Sequence, residues 1–379
     1  MISKLLFITQ KVDLDDDLLG VYHRWIEGLA AKFEKISVIC LYQGREKLPA
    51  NVAVYSLGKE VSSSRIKYLK NFYRYIWQLR KDYDAVFVHM NPEYLILGGF
   101  LWKLWGKRLV FWYAHYLANL KLRLAALFPD TIVTSTRLAY PLKSKKLLVL
   151  QQGIDTERFR PLKLPITPPA PTRLPDGQGL RRAGNYQLPI TKFKILFLGR
   201  IAPVKHIEVL LQALAALKNS GRQSIILTIV GEPTVGKPDE FKYYENLKKL
   251  AQELNLTDLV TWRPRVANYE TPKIFNEHDL FINLTDTGSF DKSTLEAMAC
   301  GLPVIVSNKA FLEIFPDVLF DSQMFQEKNS EDLAKKIQGF LALSIGEREN
   351  ISREMRRLII EKHSLSGFTE KLTQAIKGL

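Results

Sequence analysis

Only two cysteines occur in 379 residues, Cys40 and Cys300, one in each half. That scarcity excludes a disulfide framework and a thiolate zinc site, and it fits a reducing cytoplasm. Long apolar runs are missing as well. The most apolar stretch, residues 94–120, is broken by Lys103, Lys107 and Arg108, whereas a membrane-spanning helix needs about 20 consecutive apolar residues. The opening MISKLLFITQKVDLDDD lacks a small-residue cleavage site and reads as a first core strand, so a cytoplasmic location is expected. Neither G-x-G-x-x-G nor G-x-x-x-x-G-K-[ST] is present, which removes the main support for dinucleotide-dependent redox chemistry and for P-loop phosphoryl transfer.

What is there suits folded domains. Apolar residues make up 46% and charged residues 25% of the chain, too hydrophobic for a disordered polymer and long enough for two domains. The net charge is +15 and is unevenly spread. Residues 1–150 carry 23 basic against 12 acidic side chains, and residues 191–379 carry 25 against 24. A basic N-terminal half calls for an anionic partner, be it a membrane surface, a polyphosphate or nucleic acid.

Short β-rich runs alternate with amphipathic helical lengths through the N-terminal half: LLFIT, ISVICLY, AVFVH, RLVFWYAH and TIVTS, with helices through Trp25, over 65–80 and near Tyr94. Between Pro161 and Pro189 fall seven of the 18 prolines, which reads as a linker. The pattern then restarts with FKILFLG, SIILTIVG, LVTW, LFINL and PVIVS, and three helices are expected after Ser330. The expected fold is α/β, with two Rossmann-like doubly wound parallel-sheet domains facing an interdomain cleft. An N-terminal domain spans 1–160, a proline-rich linker 161–189 and a C-terminal domain 190–365, and a last helix over 366–379 packs back on the first domain. Ligands of such sheets bind at the carboxyl ends of the strands, so the site is expected in the cleft.

In FLGRIAPVKH a strand ends at Gly199, followed by Arg200 and, five residues on, Lys205. A guanidinium fork, an ammonium and a glycine that lets the backbone approach suit a diphosphate. Solvated loop cations fit this decapeptide equally well. A second constellation, LTDTGSFDKSTLEAMACGLPVIVSN, reads as strand, polar loop, helix and strand. Its loop supplies Ser289, Asp291, Lys292, Ser293 and Thr294, whose free N–H groups at a helix start can hold an anion. Glu296 is placed to accept hydrogen bonds from a ribose diol, although a Glu near a helix N-terminus is favourable without any ligand.

The order and separation of these segments resemble the C-terminal domain of retaining glycosyltransferases of family 4, which have the GT-B fold. The GR...K pair of GRIAPVKHIEVLLQAL and the run LEAMACGLPVIVS carry most of the likeness, with VGEP, Gly153-Ile154-Asp155 and the Gly20 loop adding to it. The resemblance implies a nucleotide-sugar donor in the cleft. Arg200 and Lys205 would hold its diphosphate and stabilise the leaving group, with Gly199 and Gly20 allowing close approach, Glu296 on the ribose, and Ser289, Phe290, Asp291, Lys292 and Thr294 around sugar and phosphates. The family's usual glutamate eight residues before the ribose-binding one is replaced by Gly288, and Asp291 is the expected substitute. His115 matches the position whose imidazole lies near the reacting sugar, and His89, also at a strand end, is expected on the acceptor side. With Arg200 and Lys205 on the phosphates, neither a metal nor another cofactor is required.

Residues 62–83 place Arg65, Lys67, Lys70 and Arg74 among aromatic residues. As a helix this segment is either a membrane face or a solvated surface packing its apolar residues on the sheet. The resemblance implies a glycan or lipid-linked glycan acceptor and favours the membrane. No nucleic acid is expected, because no DNA- or RNA-binding module pattern appears. The expected function is retaining hexosyl transfer in cell-envelope polysaccharide or glycolipid synthesis. The alternatives are a catalytically silent nucleotide-sugar binder or a basic nucleic-acid-binding protein.

Overall fold

A computed structural model describes residues 2–16, 19–62, 64–162, 192–221 and 225–379. The expected proline-rich linker lies almost wholly outside the described residues.

Seven strands form the first sheet: β1 (Lys4–Val12), β2 (Lys35–Gln43), β3 (Val52–Ser56), β4 (Ala85–His89), β5 (Arg108–Trp112), β6 (Thr131–Thr134) and β7 (Leu147–Val149). Their order is β3-β2-β1-β4-β5-β6-β7, and every pairing is parallel. The second sheet contains β8 (Phe193–Leu198), β9 (Ile225–Val230), β10 (Val260–Arg263), β11 (Leu280–Asn283) and β12 (Val304–Val306), in the order β10-β9-β8-β11-β12 and again all parallel. Central strands are buried on both faces, as in AVFVH of β4, where all five residues are inaccessible. That burial is why these strands read as continuous apolar runs rather than as alternating ones.

The helices of the first domain are α1 (Gly20–Ala30), α2 (Arg65–Gln78), α3 (Pro92–Leu104) and α4 (Leu120–Ala125). Those that follow are α5 (Ile207–Asn219), α6 (Pro238–Glu253), α7 (Thr271–Asn276), α8 (Lys292–Ala299), α9 (Asp317–Gln323), α10 (Ser330–Ala342), α11 (Ile345–His363) and α12 (Leu365–Lys377). Local chemistry sets several starts. Ser64 accepts from the Lys67 amide at α2, Asn329 from Asp332 at α10, and Ser344 with Glu347 closes a reciprocal capping box at α11. No described helix is long and apolar enough to cross a membrane.

The chain crosses between the domains twice, side by side. The Ile154 amide donates to the His363 carbonyl at 2.7 Å and the Leu365 amide to the Ile154 carbonyl at 2.8 Å. Beyond this crossing α12 lies on the first domain, where Phe368, Leu372 and Ile376 share a core with Trp25, Phe87 and Trp112. The Arg24 guanidinium on α1 also holds the crossing segment, donating twice to Asp155 at 2.9 and 2.7 Å.

Candidate active site

The carboxyl ends of both sheets open into one cleft of about 600 Å³, within the size range of small-molecule sites. After β8, Gly199 and Arg200 line it, and Gly231 after β9 packs against them. Gly231 has φ +148°, and a Cβ there would sit 1.9 Å from the Gly199 carbonyl oxygen. Only glycine fits this close approach of two strand ends. Lys205 reaches in from the turn before α5, its side chain 17% exposed, and pairs with the Asp291 carboxylate. Arg200 lies 3.6 Å from Glu240 and remains partly open to the cleft.

Asp291, the expected substitute for the glutamate missing at 288, lines the cleft with its carboxylate already engaged within the protein. It is the N-cap of α8. One carboxylate oxygen accepts from the Ser293 hydroxyl at 2.9 Å and the Ser293 amide at 3.3 Å, and the other is bound to Lys205. Burial would raise its pKa, but the Lys205 ammonium and the Ser293 hydrogen bonds outweigh that and hold it below its ordinary value. Ser289, Phe290 and Lys292 line the cleft beside it, Phe290 with its ring against Phe311 and His363. Thr294, in contrast, is fully buried and does not line the cleft. The first turn of α8 carries it on the face turned toward the core.

Glu296 is 1% exposed at the cleft floor. The Asn268 side-chain amide donates to it at 2.9 Å. Burial raises its pKa, with Lys292 and Asn268 opposing, so it is a strong acceptor of hydrogen bonds when ionised. Asn268 had no sequence signal, since it lies in the loop between β10 and α7, outside any recognisable run. Arg265 and Val266 form the wall beyond Glu296.

The first domain contributes Tyr22, Met90, Trp112, Ala114, His115, Tyr116 and Gln152. The His115 Nδ1 accepts from the Leu117 amide at 3.1 Å, and burial lowers its pKa. A neutral imidazole whose Nδ1 is an acceptor carries its proton on Nε2, which makes that atom a hydrogen-bond donor. Its ring stacks on Tyr116, 4.7 Å between centroids. Tyr116 in turn faces Gly288, where a Cβ would meet its ring at 3.5 Å, so an aromatic side chain from the other domain lies over the position of the absent glutamate.

Asp286 is a carboxylate of the cleft wall that sequence reasoning overlooked. It lies 3.2 Å from His206 Nε2 and 3.2 Å from Lys328. Despite partial burial, these neighbours keep its pKa low. Two other expectations are corrected. His89 is 2% exposed, packed among Phe7, Tyr22 and Trp25 with Thr9 Oγ1 at 3.3 Å from its Nδ1, and does not reach the cleft. Burial alone pushes its pKa down to about 3. Gly20 begins α1 beneath the Asp13 and Leu14 carbonyls, and it is Tyr22, two residues on, that lines the cleft. Arg65, Lys67, Lys70 and Arg74 are all exposed on α2, apart from the cleft. Among the described residues no three His, Cys, Asp or Glu side chains are grouped to hold a metal ion.

Two facing Rossmann-like domains with a basic, carboxylate-floored cleft define the GT-B architecture, and solved structures agree. The Anabaena Alr3699/HepE complex with UDP-glucose matches over 99% of this chain and 100% of its own, with a TM-score of 0.75 at 16% identity. WaaG, a glycosyltransferase involved in lipopolysaccharide biosynthesis, matches over 99% and 100% with a TM-score of 0.66 at 16% identity. Residues 184–358 match the family model for glycosyl transferases group 1. A D-inositol 3-phosphate glycosyltransferase of Streptomyces scabiei is 30% identical over 181 residues, 46% of this chain and 36% of the relative. One from Streptomyces griseus is 32% identical over 165 residues, 42% and 34% of the two chains. The match thus spans about a third of these relatives' length.

Proposed function

We propose that the protein is a retaining glycosyltransferase of the family 4 type, moving a hexose from a nucleoside diphosphate sugar to a hydroxyl of a glycan or lipid-linked glycan acceptor in cell-envelope synthesis. One observation carries this reading. Arg200 after β8, Lys205 in the turn before α5, the capped start of α8 and the buried Glu296 converge in a single cleft beneath His115. Diphosphate, ribose and sugar have matching groups in that order: two cations, an anionic acceptor, and a neutral Nε2 donor.

The chemistry follows from charge. Breaking the bond between sugar and phosphate leaves negative charge on the diphosphate, and fixed cations in a partly desolvated cleft stabilise it without reorganising. His115 Nε2–H donates to a sugar hydroxyl, with the ring oriented by the Leu117 amide at Nδ1 and by stacking on Tyr116. Attack on the same face as departure, with a donor phosphate oxygen taking the acceptor's proton, requires neither a protein nucleophile nor a metal. The exposed basic side of α2 supports a peripheral place at the inner face of the membrane: none of Arg65, Lys67, Lys70 and Arg74 pairs with a carboxylate among the described residues, and Ile66 and Trp77 are 80% and 56% exposed beside them.

Thermal shift with UDP, GDP, ADP and their hexose conjugates tests the donor site. UDP is the first to try, since structural neighbours were solved with UDP, UDP-glucose and UDP-2-fluoro-glucose. Stabilisation by one diphosphate family, lost in Glu296→Ala, is expected; no shift with any nucleotide would overturn the reading.

A further inference from the structure

A second cavity, of about 420 Å³, opens in the first domain between α2 and α3 at the carboxyl ends of β1, β2 and β4. Its walls are apolar: Leu41, Leu57, Phe72, Tyr94 and Leu97, with Leu69 at the open edge, 40% exposed. Gln10, Arg65 and Asn91 stand at its polar rim, and none of their side chains is hydrogen-bonded to another described residue. Glu93, the remaining charged group of the lining, is neutralised by Lys121 at 2.8 Å. Arg65 is therefore the one uncompensated charge among the described residues lining this cavity.

Its position is informative. Met90 lines the nucleotide cleft and Asn91, the next residue, lines this cavity, so the two spaces meet on either side of one turn. Met90 has φ +65°, a left-handed conformation that a side-chain-bearing residue adopts at a cost. A molecule seated in the apolar cavity with an anionic group at Arg65 would have its polar end directed past Asn91 toward the cleft.

We propose that this cavity receives the hydrocarbon segment of a lipid-linked acceptor, with Arg65 on the phosphate that joins lipid to glycan. This rests on the glycosyltransferase reading and narrows its acceptor to an amphiphile. Apolar walls gain by excluding water against a hydrocarbon chain, and an exposed guanidinium gains a charge-assisted contact with phosphate. Free sugars would leave the walls unpaired, and an apolar peptide would leave Arg65 without a counter-charge.

The test titrates the full chain with decyl phosphate, decanol and inorganic phosphate by calorimetry, below the micelle concentration, with UDP stabilisation read on the same samples. Saturable one-to-one binding of decyl phosphate is expected, without displacement by inorganic phosphate. Leu69→Asp, which puts a carboxylate at a half-open edge where folding is undisturbed, should weaken it by at least about tenfold. Arg65→Gln should weaken decyl phosphate and leave decanol unchanged. Both variants should keep wild-type stabilisation by UDP. No saturable binding, full displacement by inorganic phosphate, or equal affinity in Leu69→Asp would overturn the lipid cavity. If UDP stabilises the protein in those same samples, the glycosyltransferase reading survives that failure; if no nucleotide stabilises it, that reading falls while the cavity is still judged by decyl phosphate.

Discussion

Lys205 and Asp291 oppose each other in the cleft, and their fates on substitution should differ. Removing a cation that makes a charge-assisted contact costs about 1.5–3 kcal/mol, roughly ten- to a hundredfold in affinity. Lys205→Ala should therefore weaken UDP by that factor and leave uridine nearly unchanged; equal losses would take Lys205 off the phosphates. Asp291→Asn keeps a good helix cap while deleting the charge that competes for Lys205, so UDP affinity should hold or rise. A fall would give Asp291 the ligand contact that its present hydrogen bonds argue against. His115→Ala should suppress transfer with nucleotide affinity intact, measured as a loss in kcat without a change in UDP binding; full activity would make the ring structural. The sequence showed Arg200, Lys205 and Glu296 because each sits at a strand-to-helix junction flanked by recognisable runs. It did not show Asn268, Asp286 or Tyr116, which reach the cleft from loops with no periodic signal. His89 was misplaced for a specific reason: the end of β4 points toward the cleft, but the strand is covered on both faces, and the side chain turns into the core.

At the scale of elements, most strands were legible, down to the three-residue β12 within PVIVS, because their residues are buried; a few short or half-exposed elements were not. β3 and β7, in which no residue is fully buried, carry too little pattern to separate from loops, and the six-residue α4 and α7 are too short for a clear amphipathic pattern. Helix α2 was legible in extent, while which side it buries needed the structure. Phe72 and Ile76 face the sheet, and the basic residues are left exposed with Ile66, Tyr73 and Trp77. Each basic residue near an anionic surface contributes about 1 kcal/mol. Replacing Arg65, Lys67, Lys70 and Arg74 together with Gln should lower partitioning onto anionic vesicles by about a thousandfold, read by sedimentation, and added salt should reduce wild-type binding in the same direction. Unchanged sedimentation would assign α2 to solvent.

For the whole molecule, stability is tied to the segment where the domains cross. Phe368 on α12 packs 4.2 Å from Trp25 and 5.4 Å from Trp112, ring to ring, and a Cβ at Gly153 would lie 2.6 Å from it. The last helix thus completes the core of the first domain, and Phe368→Ala should cost about 3–5 kcal/mol, read from denaturation of that domain.

Two histidines give the molecule a pH dependence of definite sign. Burial lowers the pKa of His89 to about 3, and burial, partly opposed by the Gln152 backbone, lowers that of His363 to about 4. Both are neutral in the folded protein at neutral pH. An unfolded histidine takes a proton below about pH 6.5. Between that value and the folded pKa the unfolded state binds more protons, so stability is complete above about pH 6.5 and is lost as the pH falls toward 4 and 3. The slope approaches about 1.4 kcal/mol per pH unit for each histidine. Between pH 6 and 5 most carboxylates remain ionised, so this loss belongs chiefly to histidine, and the lowered pKa values of His115 and His278 act in the same direction. Urea midpoints should fall steadily from pH 7 to 5, and His89→Phe, set among the aromatic rings that already surround it, should reduce the slope. A flat profile over that range would mean that the His89 and His363 sites admit a proton as readily as water does, which is incompatible with their being closed beneath α1 and α12.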